Sequence, residues 1–152
     1  MKEREVCMKN LVEPIRSKSE IHALEEYLRQ KNKRNCLFFV FGINTGLRIS
    51  DILGLNVSDV LNKNFVEIKE KKTGKYKKFP LNDKLRHMIK LYVKNKKPEE
   101  PLFVGRFNKR LNRSQVYRFL NAACNDIGIS SNIGTHTMRK TFGFFFISNL
   151  RI

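Results

Sequence analysis

Acidic residues are scarce in this chain. Asp and Glu number 14 against 31 Lys and Arg in 152 residues, a formal net charge of +17. The few acids are scattered, which argues against a two-metal nuclease, since that chemistry needs several carboxylates in one place. Cysteine is also sparse. Cys7, Cys36 and Cys124 lie far apart, no CxxC occurs, and the odd count argues against a disulfide framework. Long apolar runs are missing: Cys36 to Ile43 and Phe142 to Ile147 are far too short to span a bilayer. Met1 to Asn10 is charged and has no apolar run of the signal-peptide kind. P-loop, GxGxxG and GxSxG patterns are absent. His22 and His87 fall on separate predicted helices without metal-ligand spacing. The expectation is a cytoplasmic protein with no metal, no cofactor and no membrane partner.

What is present is a fold-competent, strongly basic chain. Hydrophobic residues make up 41% of it, enough for a packed core and unlike a disordered sequence. Its length suits one domain. A positive excess this large points to a polyanion, most simply DNA or RNA. The cations are spread over loops, strands and helices, which disfavours a single amphipathic membrane anchor.

Residues 1–16 read as a charged lead-in, and residues 17–152 as the domain. Ser17 and Glu20 form a capping box, and Ile21, Leu24 and Leu28 follow at helical spacing, predicting a helix from about Lys18 to Lys31. Lys31 to Asn35 reads as a polar connection. Cys36 to Ile43 is apolar nearly all round, as in a buried helix, and Gly46 is a natural left-handed stop. A short helix restarts near Ser50. From Asn64 to Leu81 the period changes to two, with a turn at Thr73-Gly74, predicting a hairpin with room for a third short strand before it. Asn82 caps a helix bearing Leu85, Met88, Ile89 and Tyr92. Pro101 to Val104 reads as extended, followed by a basic loop from Arg106 to Arg113. Ser114 is the expected cap of a helix ended by Gly128, and Thr135 that of a final helix. The fold class is therefore α+β, mainly α-helical with a small antiparallel β-sheet or hairpin.

Three stretches collect cationic, hydrogen-bonding groups. In Gly134-Thr135-His136-Thr137-Met138-Arg139, His136 and Arg139 share a helix face and suit a phosphate; a very basic surface helix also yields such pairs by chance. In Thr45-Gly46-Leu47-Arg48-Ile49-Ser50-Asp51, Arg48 lies between apolar neighbours that fix its backbone. There it can present a rigid fork to a phosphate, or simply sit favourably near a helix C-terminus. In Lys71-Lys72-Thr73-Gly74-Lys75-Tyr76-Lys77-Lys78, a lysine at a hairpin tip is a mobile donor within a run that is otherwise a solvated charge patch.

Together, TGLRISDILGL, a lysine-tipped hairpin ending in FPL, and HTMRKTFG resemble the catalytic domain of the tyrosine recombinases, the phage and transposon integrases. The resemblance runs from about Pro14 to the C-terminus and preserves the family's motif order. It implies a tyrosine-recombinase catalytic-core-like fold, with Arg48, Lys72, His136 and Arg139 as catalytic residues and Asp51 as a support for Arg48. It implies double-stranded DNA as partner, an oligomer of recombinase subunits on that DNA, and neither metal nor nucleotide. Lys71, Lys75, Lys77 and Arg113 are expected to contact the DNA backbone.

The family also carries a further His or Trp and then a tyrosine nucleophile beyond the H-x-x-R pair. Tyr27, Tyr76, Tyr92 and Tyr117 all precede His136, so none matches. The resemblance thus implies a partial catalytic domain, inactive alone, from a site-specific recombinase. The alternative reading is a non-catalytic, truncated integrase acting as a DNA-binding competitor or regulator. A general RNA-binding role has only the charge behind it. Phe142, Phe144, Phe145 and Phe146 are expected to form a partly exposed aromatic cluster that promotes self-association.

Overall fold

The computed structural model describes residues 13–130, 133–134 and 136–147, with residues 146 and 147 described by their backbone alone. One helix, α2 (Lys33–Thr45), forms the centre. Phe38, Phe39, Val40 and Phe41 along it are all fully buried. An amphipathic helix would show a polar side here, and this one has almost none, because other elements cover it all round. α1 (Lys18–Lys31), the short α3 (Ile49–Leu53), α4 (Asp83–Tyr92) and α6 (Thr137–Ile147) pack against it. α5 (Arg113–Ile127) packs on α1 and α3. Phe103, from the extended segment before α5, fills the remaining gap. Its ring meets Phe38 edge-on at 4.9 Å and Phe41 at 6.4 Å, favourable geometries for aromatic quadrupoles.

The helix boundaries follow from capping chemistry. Ser17 Oγ accepts from Glu20 N and starts α1. Asn32 then serves two helices. Its amide donates to Leu28 O at 2.7 Å, closing α1, while its side chain accepts from Arg34 N and Asn35 N, opening α2. The polar connection expected over Lys31 to Asn35 therefore shrinks to one residue. α5 starts earlier than expected: the cap is Asn112, not Ser114. Asn112 and Gln115 exchange side-chain and backbone bonds in a reciprocal box at 2.9 Å each. The expected cap of α6, Thr135, lies outside the described residues.

The sheet has two strands, β1 (Phe65–Lys69) and β2 (Tyr76–Pro80), antiparallel with Phe65 opposite Pro80 and Lys69 opposite Tyr76. No third strand joins it among the described residues. Ahead of it Asn56 forms a single bridge with Pro101, and beyond it Val104 bridges Arg110. Val66 is buried, while Phe65, Glu67 and Lys69 are exposed. The hairpin thus rests on the helices by one face and keeps its lysines in water, as alternation requires.

Ile15, just ahead of α1, is buried, and its amide donates to Thr141 Oγ1 on α6 at 3.0 Å. Thr141 in turn donates to Thr137 O at 2.7 Å. The N-terminal approach to the domain is thereby tied to α6, which carries Arg139 and directly follows the turn holding His136.

The aromatic cluster of α6 is partly exposed. Phe145 is buried, Phe142 and Phe144 are half-buried, and Arg16 lies over the Phe144 ring. The Phe146 side chain is outside the described residues. α6 inserts between α2 and the N-terminal approach, so its apolar stripe is used inside the domain. No helix among the described residues is long and apolar enough to cross a membrane.

Candidate active site

Arg48 stands at the junction of two helices. α2 ends at Gly46, which adopts φ 70, and Thr45 Oγ1 accepts from Leu47 N to shape the turn. Leu47 and Ile49 on either side are buried, whereas Arg48 is exposed. Its carbonyl accepts from Asp51 N and Ile52 N at 3.0 and 3.1 Å, so Arg48 is the N-cap of α3. The backbone is pinned while the guanidinium faces solvent. Asp51 is half-buried in the first turn of α3, and among the described residues its carboxylate makes no bond to Arg48.

His136 and Arg139 are both exposed. His136 occupies the turn just ahead of α6, and its carbonyl accepts from Lys140 N at 2.9 Å. What fixes these residues relative to Arg48 is a contact between α2 and α6. A β-carbon added at Gly42 would lie 2.6 Å from Met138 Sδ, and one at Gly46 would lie 2.8 Å from Phe142 Cε1. Gly42 and Gly46 are one helical turn apart, as are Met138 and Phe142, and the order is the same on both helices. The two helices therefore run side by side in the same direction, in closer contact than side chains on both would permit. Arg139 directly follows Met138, and Arg48 lies two residues beyond Gly46. Both arginines are thus carried by one tight helix contact. Among the described residues neither guanidinium has a hydrogen bond or ion pair.

Lys72 lies in the turn of the hairpin and is exposed. The turn is built around Glu70. Its amide donates to Lys75 O at 2.8 Å and its carbonyl accepts from Gly74 N at 2.9 Å. Its carboxylate accepts from Thr73 Oγ1 at 3.0 Å and pairs with Lys77 Nζ at 2.6 Å. Gly74 supplies the positive φ, 67°, that the turn requires. The hydrogen bond from Lys77, then that from Thr73, hold the Glu70 carboxyl below the ordinary carboxylate range, and the charges of Lys77 and Arg48 add to this. The last contribution links the turn that bears Lys72 to Arg48.

Lys71 and Lys75 are exposed in the same turn, while Lys77 is engaged by Glu70. Arg113 is exposed at the first position of α5. Glu70 and Thr73 escape a reading that counts only cations. The signal was a lone acid beside a lysine-rich turn, diagonal across the strands from Lys77.

Three of the four tyrosines are engaged elsewhere. Tyr27 donates to Asp126, Tyr92 is half-buried against Phe103, and Tyr76 lies beneath Lys69 on the hairpin. Tyr117 is exposed on α5. Burial pushes the Cys36 and Cys124 thiols up, Cys124 to about 11, so neither is a nucleophile at neutral pH. No group of three metal-ligating side chains occurs among the described residues.

The chain matches the Phage integrase family over residues 16–149. It is 46% identical over 138 residues to a probable integrase/recombinase, YoeC, of Bacillus subtilis, covering 90% of this chain and 76% of that protein. It is 32% identical over 113 residues to the tyrosine recombinase XerD of Oceanobacillus iheyensis, covering 69% of this chain and 38% of the relative. The fold superimposes on XerA recombinase with a TM-score of 0.75 at 20% identity, over 91% of this chain and 52% of that one. The chain therefore spans about half the length of that recombinase. XerH recombinase, solved bound to its difH substrate before cleavage, matches with a TM-score of 0.71 at 20% identity, over 88% and 42% of the two chains. With its helical core, its antiparallel hairpin and these relatives, the chain belongs to the phage integrase family and is a homologue of tyrosine recombinase catalytic domains.

Proposed function

We propose that this chain binds duplex DNA and supplies the phosphate-activating groups of a tyrosine recombinase. The observation that carries the reading is the α2–α6 contact. It carries Arg48 and Arg139 on one tight helix contact, and among the described residues neither guanidinium has a hydrogen bond or ion pair.

The chemistry follows from where charge develops. A phenolate attacks the phosphorus, the bond from phosphorus to the 5′-oxygen breaks, and a 3′-phosphotyrosine remains. Negative charge grows on the two non-bridging oxygens and on the departing 5′-oxygen. Arg48 and Arg139 clamp the non-bridging oxygens as fixed forks. Losing one such donor costs about 3 kcal/mol of transition-state stabilisation. His136 donates to the same phosphate, and Lys72 delivers a proton to the 5′-oxygen. Asp51 supports the Arg48 turn through its position in α3. Lys71, Lys75 and Arg113 hold the neighbouring backbone, joined by Lys77 when DNA competes for it. None of Tyr27, Tyr76, Tyr92 and Tyr117 is assigned the attack, which this reading gives to a tyrosine outside these 152 residues.

The test is a binding titration with labelled duplex DNA across a range of salt, paired with a nicked suicide substrate. Binding should weaken steeply as salt rises, and this chain alone should form no covalent adduct. Salt-insensitive binding, or none, overturns the DNA reading; an adduct on this chain overturns the assignment of the nucleophile.

A further inference from the structure

The loop between Val104 and Arg110 carries an aromatic side chain that the fold does not use. Phe107 is 91% exposed, the most exposed large hydrophobic side chain among the described residues. Its backbone is left-handed, φ 57, and Asn108 follows at φ 55. A residue with a β-carbon adopts that region only at a cost, so its surroundings must impose it.

They do so from several sides. Val104 and Arg110 bridge the base of the loop. Gly105 N donates to Lys109 O at 2.7 Å, and Lys109 N to Arg106 O at 3.2 Å. The Arg110 guanidinium donates to Leu53 O at 3.1 Å and Leu55 O at 3.0 Å, fastening the loop to the end of α3. The result is a braced tip with Phe107 at its apex. Arg106 and Lys109 flank it, exposed, and Arg113 is exposed where α5 begins. None of these three cations is in an ion pair among the described residues.

An apolar tip ringed by cations is the complement of a DNA groove, which offers two phosphate rails with base edges between them. We infer that Phe107 is a groove-contacting residue: Arg106, Lys109 and Arg113 engage the rails, and Phe107 makes apolar contact with base edges between them. This rests on the DNA-binding reading above. It makes the loop a determinant of sequence preference, because phosphate contacts alone carry no sequence information.

The chain contains no tryptophan, so Phe107→Trp installs a single tryptophan, excited selectively over the tyrosines, at an exposed position where the fold is indifferent to the side chain. Titration with a mixed-sequence duplex should shift or quench its emission with the same midpoint as binding measured by anisotropy. Phe107→Ala should weaken binding roughly tenfold at every salt concentration, leaving the slope of affinity against salt unchanged, as loss of an apolar contact should. Lys109→Ala should instead make that slope shallower by about 0.9. Unchanged emission at saturating duplex, or wild-type affinity for Phe107→Ala, overturns the inference while leaving DNA binding intact. An emission change that follows protein concentration without DNA overturns it in favour of a second copy of the chain. Failure of the unaltered chain to bind duplex removes the DNA-binding reading and the inference with it.

Discussion

The Phe142 ring occupies the space that a side chain at Gly46 would need. A β-carbon there would fall 2.8 Å from Phe142 Cε1, and the residue also holds φ 70. Gly46→Ala meets both obstacles. The left-handed backbone costs about 1–2 kcal/mol, and overpacking against the ring adds about 1–3 kcal/mol. We expect a loss of roughly 2–5 kcal/mol, a large part of the roughly 5–15 kcal/mol typical of a domain, read as a lower urea midpoint with unchanged slope. A near-wild-type midpoint would mean that Phe142 swings aside at little cost and that the helix contact does not fix the two arginines.

Thr141→Val tests the link between the N-terminal approach and α6. The hydroxyl is fully buried and accepts from Ile15 N while donating to Thr137 O. Valine keeps the shape and leaves the Ile15 amide unpaired, which costs about 1–3 kcal/mol. Hydrogen exchange should show the segment around Ile15 losing protection before the rest of the domain. Equal loss across all helices would place the effect in global packing instead.

The hairpin turn should depend on pH through Glu70. Its carboxyl lies below its ordinary value of 4.5, chiefly through the hydrogen bond from Lys77. A carboxyl lowered by folding stabilises the folded form fully above its unfolded value, and that contribution is lost as pH falls through the lowered one. Protection of the Gly74 and Lys75 amides should therefore be flat above about pH 4.5 and decline below it. In Glu70→Gln the turn should be less protected throughout and this pH dependence should vanish. A turn equally protected in the variant would show that backbone bonds alone set it.

Much of this was readable from the residues. Helix α1, the buried α2, its stop at Gly46 and the hairpin turn at Gly74 all follow from spacing and from residues that tolerate positive φ. The order of Arg48, Lys72, His136 and Arg139 identified the family. What was hidden depends on contacts between distant segments. Nothing local marks Gly42 as the seat of Met138, because a glycine inside an apolar helix looks the same whether or not another helix approaches. Which member of the partly exposed aromatic cluster would be buried was hidden for the same reason: Phe145 is covered because α6 packs on α2 and is tied to the segment containing Ile15, two parts of the chain far from it in sequence. Asn112 displaced Ser114 as cap because Gln115, three residues after Asn112, completes its box.

Whether Arg48 and Arg139 serve one phosphate can be decided by a double-mutant cycle. Each alanine substitution removes one cation, and both should lower duplex affinity and flatten its salt dependence. If the two guanidinia clamp the same phosphate, the second substitution should cost less than the first, with a coupling of about 0.5–3 kcal/mol. If they engage separate phosphates, the two losses should add to within about 0.5 kcal/mol. Arg48→Lys sharpens the result. Lysine keeps the charge and loses the planar fork, so it should preserve most of the salt slope and still break the coupling. Additive losses from the alanine pair would separate the two arginines and remove the shared clamp from the proposed mechanism.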